Sequence, residues 1–263
     1  MRKAWKTILR KLQEVKGLPK LIWSEFKKIK RQKFILITVI AACCFPIPLS
    51  AIVVHSKLSY ETLYMFAIEF GFMLMLPIVL GCIATLLFHM ESDTGADKTL
   101  AIIPVPKEKL LLSKLMLLFA LALFYGVSAI GATLVGGALS GSVTGVESKL
   151  LFAALFSVLI TIGMIPILII IVAFKNNFIM PIFCTVAYTL ISFISSISMI
   201  RVPLPFVWIF RYAIPIITTN AAMIDANQQV QDWILSFGSC AVYLTLVGSV
   251  SLVISYIIYK KEG

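Results

Sequence analysis

The chain has 263 residues, of which 60% are hydrophobic and only 13% are charged. Because about a quarter of the residues of a typical globular domain are charged, this composition excludes a soluble domain of the same length. Apolar runs of about 20 residues, without strand-like alternation, predict an all-α membrane protein that crosses the bilayer several times.

Basic residues are concentrated at the N-terminus. Residues 1–33 hold 12 Lys and Arg against 2 acidic residues, whereas the rest of the chain holds 11 basic and 10 acidic residues. A polybasic stretch beside a membrane span is attracted to anionic lipid by about 1 kcal/mol for each Lys or Arg near the surface. We therefore expect membrane lipid, and no nucleic acid, to be the partner of this segment.

Residues 1–33 also show helical periodicity on both sides of a break at Gly17–Pro19. The recurring apolar side chains, with Lys and Arg between them, are Trp5, Ile8, Leu9 and Leu12, then Leu18, Ile22, Phe26 and Ile29. An apolar stripe opposite a basic face is typical of a helix that lies in the membrane interface. The pattern predicts an amphipathic elbow helix that leads into the membrane domain; a disordered basic tail is the alternative.

Residues 34–263 form one predicted transmembrane domain with six apolar runs long enough to cross a bilayer. The runs cover about residues 34–54, 63–88, 110–139, 150–174, 178–199 and 234–259. An even number of spans puts both termini on one side, and that side holds 19 Lys and Arg against 4 on the other. The positive-inside rule then predicts that both termini are cytoplasmic.

Glu69 is the clearest ionisable residue inside a predicted span. A charge in the membrane core costs roughly 2.5–3.5 kcal/mol on insertion scales, so such residues usually face the bundle interior or a water-filled cavity. Its position near the outer end of the span favours contact with a cationic substrate that enters from the outer leaflet. A protonated or snorkelling Glu69 that bonds a neighbouring helix is the alternative.

Residues 89–109 place acidic and basic side chains between two apolar spans, on the predicted cytoplasmic side. Asp93 is among the residues suited to cap a helix here. Leu100 and Ile103 give that helix an apolar side before Pro104 stops it. The pattern predicts a short amphipathic helix whose apolar ridge inserts into a groove on a partner; an interfacial loop with no partner is the alternative.

The predicted extracellular segment 200–233 is too short and too rich in proline to span the bilayer, and it is too aromatic for a free loop. Trp208, Arg211 and Tyr212 are typical of residues at headgroup level. We predict short re-entrant helices that dip into the outer leaflet before the last span and form a lid on the substrate pathway. A simple interfacial anchor is the alternative.

The sequence holds no P-loop motif G-x-x-x-x-G-K-[ST] and no H-E-x-x-H motif. Nucleotide binding by that loop and metalloprotease chemistry are therefore excluded. The five cysteines lie in apolar runs without C-x-x-C spacing, and His55 and His89 are far apart. We expect no enzyme active site, no bound metal and no bound cofactor in this chain.

The stretch "ESDTGADKTLAIIPVPKEKLLLSKL" resembles the cytoplasmic loop of ABC-2-type exporter permeases. In that family an acidic residue, a Gly, a K-T-L stretch, a P-V pair and a final S-K pair lead into the third span. The positions that fall on this motif are Glu91, Gly95, Lys98, Thr99, Leu100, Pro104, Val105 and Lys114. The resemblance implies that the loop is a coupling helix, which docks on a separate ABC ATPase dimer that binds ATP and Mg²⁺.

The chain length and the second span "IEFGFMLMLPIVLGCIA" are similar to the short permeases of lantibiotic immunity and antimicrobial-peptide resistance transporters. This narrower resemblance implies export of cationic peptide antibiotics from a bacterial cell membrane, together with a second, related but different permease. The alternatives are an ABC-2 permease for another cargo (a lipid, a polysaccharide precursor or an ion) and a membrane assembly or sensor protein that transports nothing.

Overall fold

The computed structural model describes residues 21–27, 40, 44–56, 59–93, 106–139, 143, 145–217 and 228–261. All regular structure in these ranges is helical, which confirms the predicted all-α class. The predictions for the first part of the elbow helix and for most of the loop between residues 93 and 107 fall outside the described residues, as does most of the first predicted span.

The helices follow one another with short connections. A helical stretch at residues 21–27 precedes α1 (Pro46–His55) and the long helix α2 (Tyr60–Asp93). The bundle continues with α3 (Lys107–Leu139), α4 (Val146–Gly163), α5 (Ile165–Ala173) and α6 (Ile179–Ile197). It ends with α7 (Pro205–Ile217), the short α8 (Gln228–Gln231) and α9 (Phe237–Lys261).

Of the described helices, 5 are long and apolar enough to cross a membrane, namely α2, α3, α4, α6 and α9. They correspond to the second to sixth predicted spans. The first predicted span, 34–54, is described only in part, and there the apolar helix α1 has 10 residues. Five candidate spans are therefore established, and a sixth stays a prediction.

The fourth predicted span, 150–174, is interrupted in the structure. Helix α4 ends at Gly163 and α5 begins at Ile165, with Pro166 in the first turn of α5. Proline has no backbone N–H and its ring clashes with the carbonyl four residues earlier, so a regular helix does not continue through it. The break is the physical consequence of one residue inside an otherwise uniform apolar run.

Helix α2 contains a π-helical segment at Ala67–Met75, where the Leu76 N–H bonds the carbonyl of Gly71, five residues back. Pro77 follows directly, and it can neither donate a hydrogen bond nor tolerate the carbonyl of Met73 at regular α-helical spacing. A widened turn before the proline relieves that conflict. Such π segments are rare and often occur at functional positions, and this one contains Glu69.

The helices pack as one bundle, with α3 against α4, α9 against α5, α1 against α3 and α6 against α2. Phe72 of α2 lies at its centre, in ring contact with Tyr125 of α3 and Phe156 of α4. A methyl group at Gly126 would overlap the Ser157 hydroxyl, so this glycine allows α3 and α4 to approach closely. The short helix α7 packs against α4, α6 and α9.

Candidate functional site

The two ends of the predicted coupling loop meet at one end of the bundle. Helix α2 ends at Asp93 and α3 begins at Lys107, and the last turn of α9 lies beside them. We call this end, where α2 and α9 end and α3 begins, the lower end. The upper end is the opposite one, where α2 and α4 begin.

Lys114 and Glu91 form an ion pair inside the lower end. The Nζ atom of Lys114 lies 2.9 Å from Oε1 of Glu91, and the two side chains are only 1% and 4% exposed. Lys114 also donates to the carbonyl of Leu87 at 2.9 Å. Its ammonium lies 4.8 Å from the centroid of the Phe88 ring. The cation is thus enclosed by a carboxylate, a carbonyl and an aromatic face.

Two further residues from distant parts of the chain join this pair. Oε2 of Glu25, from residues 21–27, lies 3.8 Å from the Lys114 ammonium and is also buried. The Tyr259 hydroxyl of α9 donates to Oε2 of Glu91 at 3.4 Å. We call Glu25, Glu91, Lys114 and Tyr259 the buried charge cluster, and it connects four separate segments of the chain.

The energetics of the buried charge cluster favour a fixed geometry. Charges taken out of water are tolerated only when they remain paired and hydrogen-bonded, and removing one partner of such a pair costs about 3–5 kcal/mol. Pulling α2 away from α3 would leave Glu91 and Lys114 buried without each other. The four segments are therefore expected to move together rather than separately.

The end of α2 is also attached to the loop between α5 and α6. Nδ1 of His89 lies 2.8 Å from the carbonyl oxygen of Lys175, a distance at which that nitrogen donates. The Ser92 hydroxyl donates to the side-chain oxygen of Asn176. The His89 ring contacts Phe178. The second loop at the lower end is thus held by the same two turns of α2 that carry Glu91.

The beginning of α3 is connected to the end of α9. The Tyr256 hydroxyl donates to Oε1 of Glu108 at 2.7 Å. Lys107 donates to the carbonyl of Lys260 at 3.3 Å. These contacts flank the buried charge cluster on the solvent side, so the segment where the chain re-enters the bundle after the loop is anchored twice.

Of the sequence-predicted coupling residues, the structure brings Glu91 and Lys114 into direct contact. Asp93 is the last residue of α2 and is exposed. The other predicted residues lie outside the described part of the chain, namely Gly95, Lys98, Thr99, Leu100, Ile103, Pro104 and Val105.

Glu25 and Tyr259 belong to the site but were missed by sequence reasoning. Glu25 lies next to Phe26 and one turn after Ile22, which places an acidic side chain beside the apolar stripe of the elbow. An acidic residue on the apolar face of an otherwise basic helix indicates a buried partner, and this signal was available. Tyr259 gave no comparable signal, because a tyrosine near the end of a membrane span is common.

Glu69, the first predicted substrate-pathway residue, is half-buried in the π segment of α2. Within the part of the chain that the structure describes, its carboxylate makes no hydrogen bond or ion pair. The neighbouring Phe70 contacts Phe193 of α6. Glu69 therefore lies on the side of α2 that is only partly covered.

The other predicted pathway residues hold α7 in place. Arg211 donates through Nε to the carbonyl of Trp233 at 2.7 Å, and its guanidinium lies 5.5 Å from the centroid of the Trp233 ring. The Trp208 ring lies 4.9 Å from that of Tyr243 in α9. Tyr212 contacts Phe152 and Phe237. These contacts join α7 to α4 and α9 and do not include Glu69, so the structure does not bring the predicted pathway residues together.

Five long apolar helices and a buried charge cluster at the start and end of one loop define a multi-pass helical membrane protein with a braced lower end. A family model described as "ABC-2 family transporter protein" matches residues 21–192, which is more than half of the chain. The chain therefore belongs to the ABC-2 transporter family, whose members are the membrane subunits of ABC transporters and normally work with an ATPase subunit. A comparison with individually curated proteins finds no match.

The matched region contains three members of the buried charge cluster, Glu25, Glu91 and Lys114. Tyr259, α7 and α9 lie beyond it. The family assignment makes this chain a permease, a transport subunit rather than a catalytic one, and it supports the resemblance seen in the loop sequence.

Proposed function

We propose that this chain is the permease half of an ATP-driven exporter that removes lantibiotic-like cationic peptides from a bacterial cell membrane. The observation that carries the coupling part of the proposal is the buried contact between Glu91 and Lys114, because these residues stand at the start and end of the loop predicted to dock on an ATPase dimer.

The proposed coupling follows from how the lower end is connected. A partner that binds ATP and Mg²⁺ pushes on residues 89–109. Because Glu91 and Lys114 are buried together with Glu25 and Tyr259, the push reaches α2, α3, α9 and the elbow at once. Rigid elements that share such contacts carry a displacement as a unit.

The proposed orientation places the lower end in the cytoplasm, with both termini. This rests on the distribution of Lys and Arg, 19 on the proposed cytoplasmic side and 4 on the other. The partners in this arrangement are an ABC ATPase dimer, a second and related permease, and anionic lipid beside the basic residues 1–33.

The proposed cargo is a cationic peptide because Glu69 presents a half-buried carboxylate with no partner among the described residues. Its π-helical surroundings expose an irregular backbone on the same helix. The segment 200–233, whose helix α7 is apolar and too short to span, is proposed to be re-entrant and to cover the pathway.

The experiment that tests this proposal uses the double variant Leu100→Asp with Ile103→Asp, in the complete complex reconstituted in proteoliposomes. We expect the variant to fold and to assemble poorly with the ATPase, and stimulation of ATP hydrolysis by a lantibiotic to be lost. The matched control is Leu100→Met with Ile103→Val, which keeps the apolar ridge and should behave as wild type. Wild-type stimulation of the Asp variant would show that the loop is not the docking element.

The same preparation separates the alternatives. An ABC-2 permease for another cargo would co-purify with an ATPase that lantibiotics do not stimulate. A membrane assembly or sensor protein would purify without an ATPase.

A further inference from the structure

Four residues of α2 and α4 form a compact cation site at the upper end of the bundle. Nζ of Lys149, in the first turns of α4, lies 2.6 Å from Oε1 of Glu61 in the first turn of α2. The same ammonium lies 4.3 Å from the centroid of the Tyr60 ring and 5.1 Å from that of Tyr64. We call Tyr60, Glu61 and Tyr64 the ammonium cage, and Lys149 is its present occupant.

The cage is a built feature of the fold. Tyr60 and Tyr64 are 1% and 2% exposed, so the aromatic walls are packed inside the bundle. Tyr60 rests against Gly137 of α3, where a methyl group would overlap the ring. The N-terminus of α2 is capped by Ser59, which accepts from the backbone N–H of Thr62. The walls are thus held by three helices.

The cage is closed on its aromatic side and open on its acidic side. The side chain of Lys149 is 11% exposed and that of Glu61 is 30% exposed. A cation arriving from the upper end meets the Glu61 carboxylate first and the ring faces afterwards. The route to the site therefore passes the one negative charge that attracts a cation.

This combination recognises a primary ammonium. A cation within about 6 Å of an aromatic centroid is attracted by the ring quadrupole, and more strongly when it is desolvated. A carboxylate adds a charge-assisted hydrogen bond. A narrow alkyl stem that ends in an ammonium satisfies all three groups at once, as the Lys149 side chain does.

We propose that the ammonium cage is a binding site for a primary ammonium of the cargo, and that Lys149 fills it as an internal substitute until the cargo replaces it. The inference rests on the proposed export of cationic peptides and names where their lysine side chains would bind. Exchange of one ammonium for another keeps the buried site paired throughout, so the cage is never left with an uncompensated carboxylate.

The exchange has a structural consequence. The Lys149–Glu61 contact joins the beginning of α4 to the beginning of α2. When a cargo ammonium takes its place, this bond between two candidate membrane spans is released. Glu69 lies two turns further along α2, about 12 Å away by the 1.5 Å rise per residue, and is the next carboxylate for a second cationic group.

The first test refills the cage with a small probe in the full-length purified protein. Lys149→Ala removes a chain equivalent to n-propylammonium and should lower the thermal midpoint. We expect n-propylammonium to restore most of that loss in a saturable way, and 1-propanol, its neutral counterpart, to have no such effect. Adding Glu61→Gln to Lys149→Ala should weaken the probe at least about tenfold, which corresponds to about 1.4 kcal/mol. Equal rescue by the alcohol, or no saturable rescue, would identify a plain structural ion pair.

A second test needs no variant, so it stands even if Lys149→Ala does not fold. In proteoliposomes with the wild-type complex, an amine-acylating reagent is applied and the labelled lysines are mapped by mass spectrometry. A lysine-containing lantibiotic should raise the labelling of Lys149 several-fold relative to the exposed Lys260. The same peptide with acetylated lysines should not. Unchanged labelling of Lys149 overturns the exchange.

The two proposals fail independently. Probe rescue requires neither an ATPase nor transport, so a working cage in a complex that exports no peptide would refute the export function alone. Peptide export by the wild-type complex, without rescue and without a change in Lys149 labelling, would refute the cage alone.

Discussion

Lys114 and Glu91 lie on either side of the loop between α2 and α3 and contact each other at 2.9 Å in an almost completely buried site. Any force applied to that loop acts on two helix ends that are already joined. Glu25 and Tyr259 extend the joint to the elbow and to the last helix. The lower end of this permease is therefore a single mechanical unit.

Lys114→Met should destabilise the protein strongly. Two carboxylates would remain buried next to a neutral side chain, and breaking a buried pair in this way costs about 3–5 kcal/mol. Thermal unfolding in detergent measures the loss. In a double-mutant cycle with Glu91→Gln, the double variant should be less destabilised than the sum of the single ones. Additive effects would mean that the two side chains do not stabilise each other.

Tyr259→Phe isolates the hydroxyl of the buried charge cluster. The ring contact with Phe88 is kept, and only the hydrogen bond to Glu91 is lost. We expect a loss of stability of about 0.5–1.5 kcal/mol and weaker stimulation of the ATPase by cargo. Tyr259→Ala, which also removes the ring, should lose considerably more stability. A Phe variant with unchanged stability and unchanged stimulation would remove Tyr259 from the site.

Gly126→Ala should destabilise the contact between α3 and α4 by about 1–3 kcal/mol, because its methyl group overlaps the Ser157 hydroxyl. Ser157→Ala in the same chain should recover part of the loss. Gly131→Ala on the same helix is the matched control: no atom lies within 4 Å of its added methyl. That control should be neutral or stabilising by up to about 1 kcal/mol, given the helix propensity of alanine. Thermal midpoints of the three variants decide the matter, and equal losses at both glycines would contradict the packing.

Glu69→Gln and Glu61→Gln should separate function from stability. Glu69 has no partner among the described residues, so its amide variant should keep the thermal midpoint and lose cargo-stimulated ATP hydrolysis. Glu61→Gln removes the carboxylate that pairs with Lys149, so it should lower the thermal midpoint. Reconstituted complexes provide both measurements. Full cargo stimulation with Glu69→Gln would exclude Glu69 from the substrate pathway.

Some features of the site were within reach of sequence reasoning. Glu91 and Lys114 were selected from the loop motif, and the structure places them in contact. Trp208, Arg211 and Tyr212 were predicted to belong with Glu69, but they bond α9 and α4 instead. Residues close in sequence share an environment that composition can indicate. Their partners on other helices depend on how the helices are rotated about their axes, which no local pattern specifies.

By itself, the sequence determined that this protein is helical and where five of its apolar helices cross, because hydropathy and helix length are properties of short continuous segments. It also indicated that proline would disturb the fourth span, which breaks before Pro166. Only the tertiary structure decided that Glu25 would meet Lys114 and that Lys149 would fill a cage of Tyr60, Glu61 and Tyr64. These contacts join residues far apart in the chain, and they arise because a charge inside a packed bundle must find a partner wherever the packing places one.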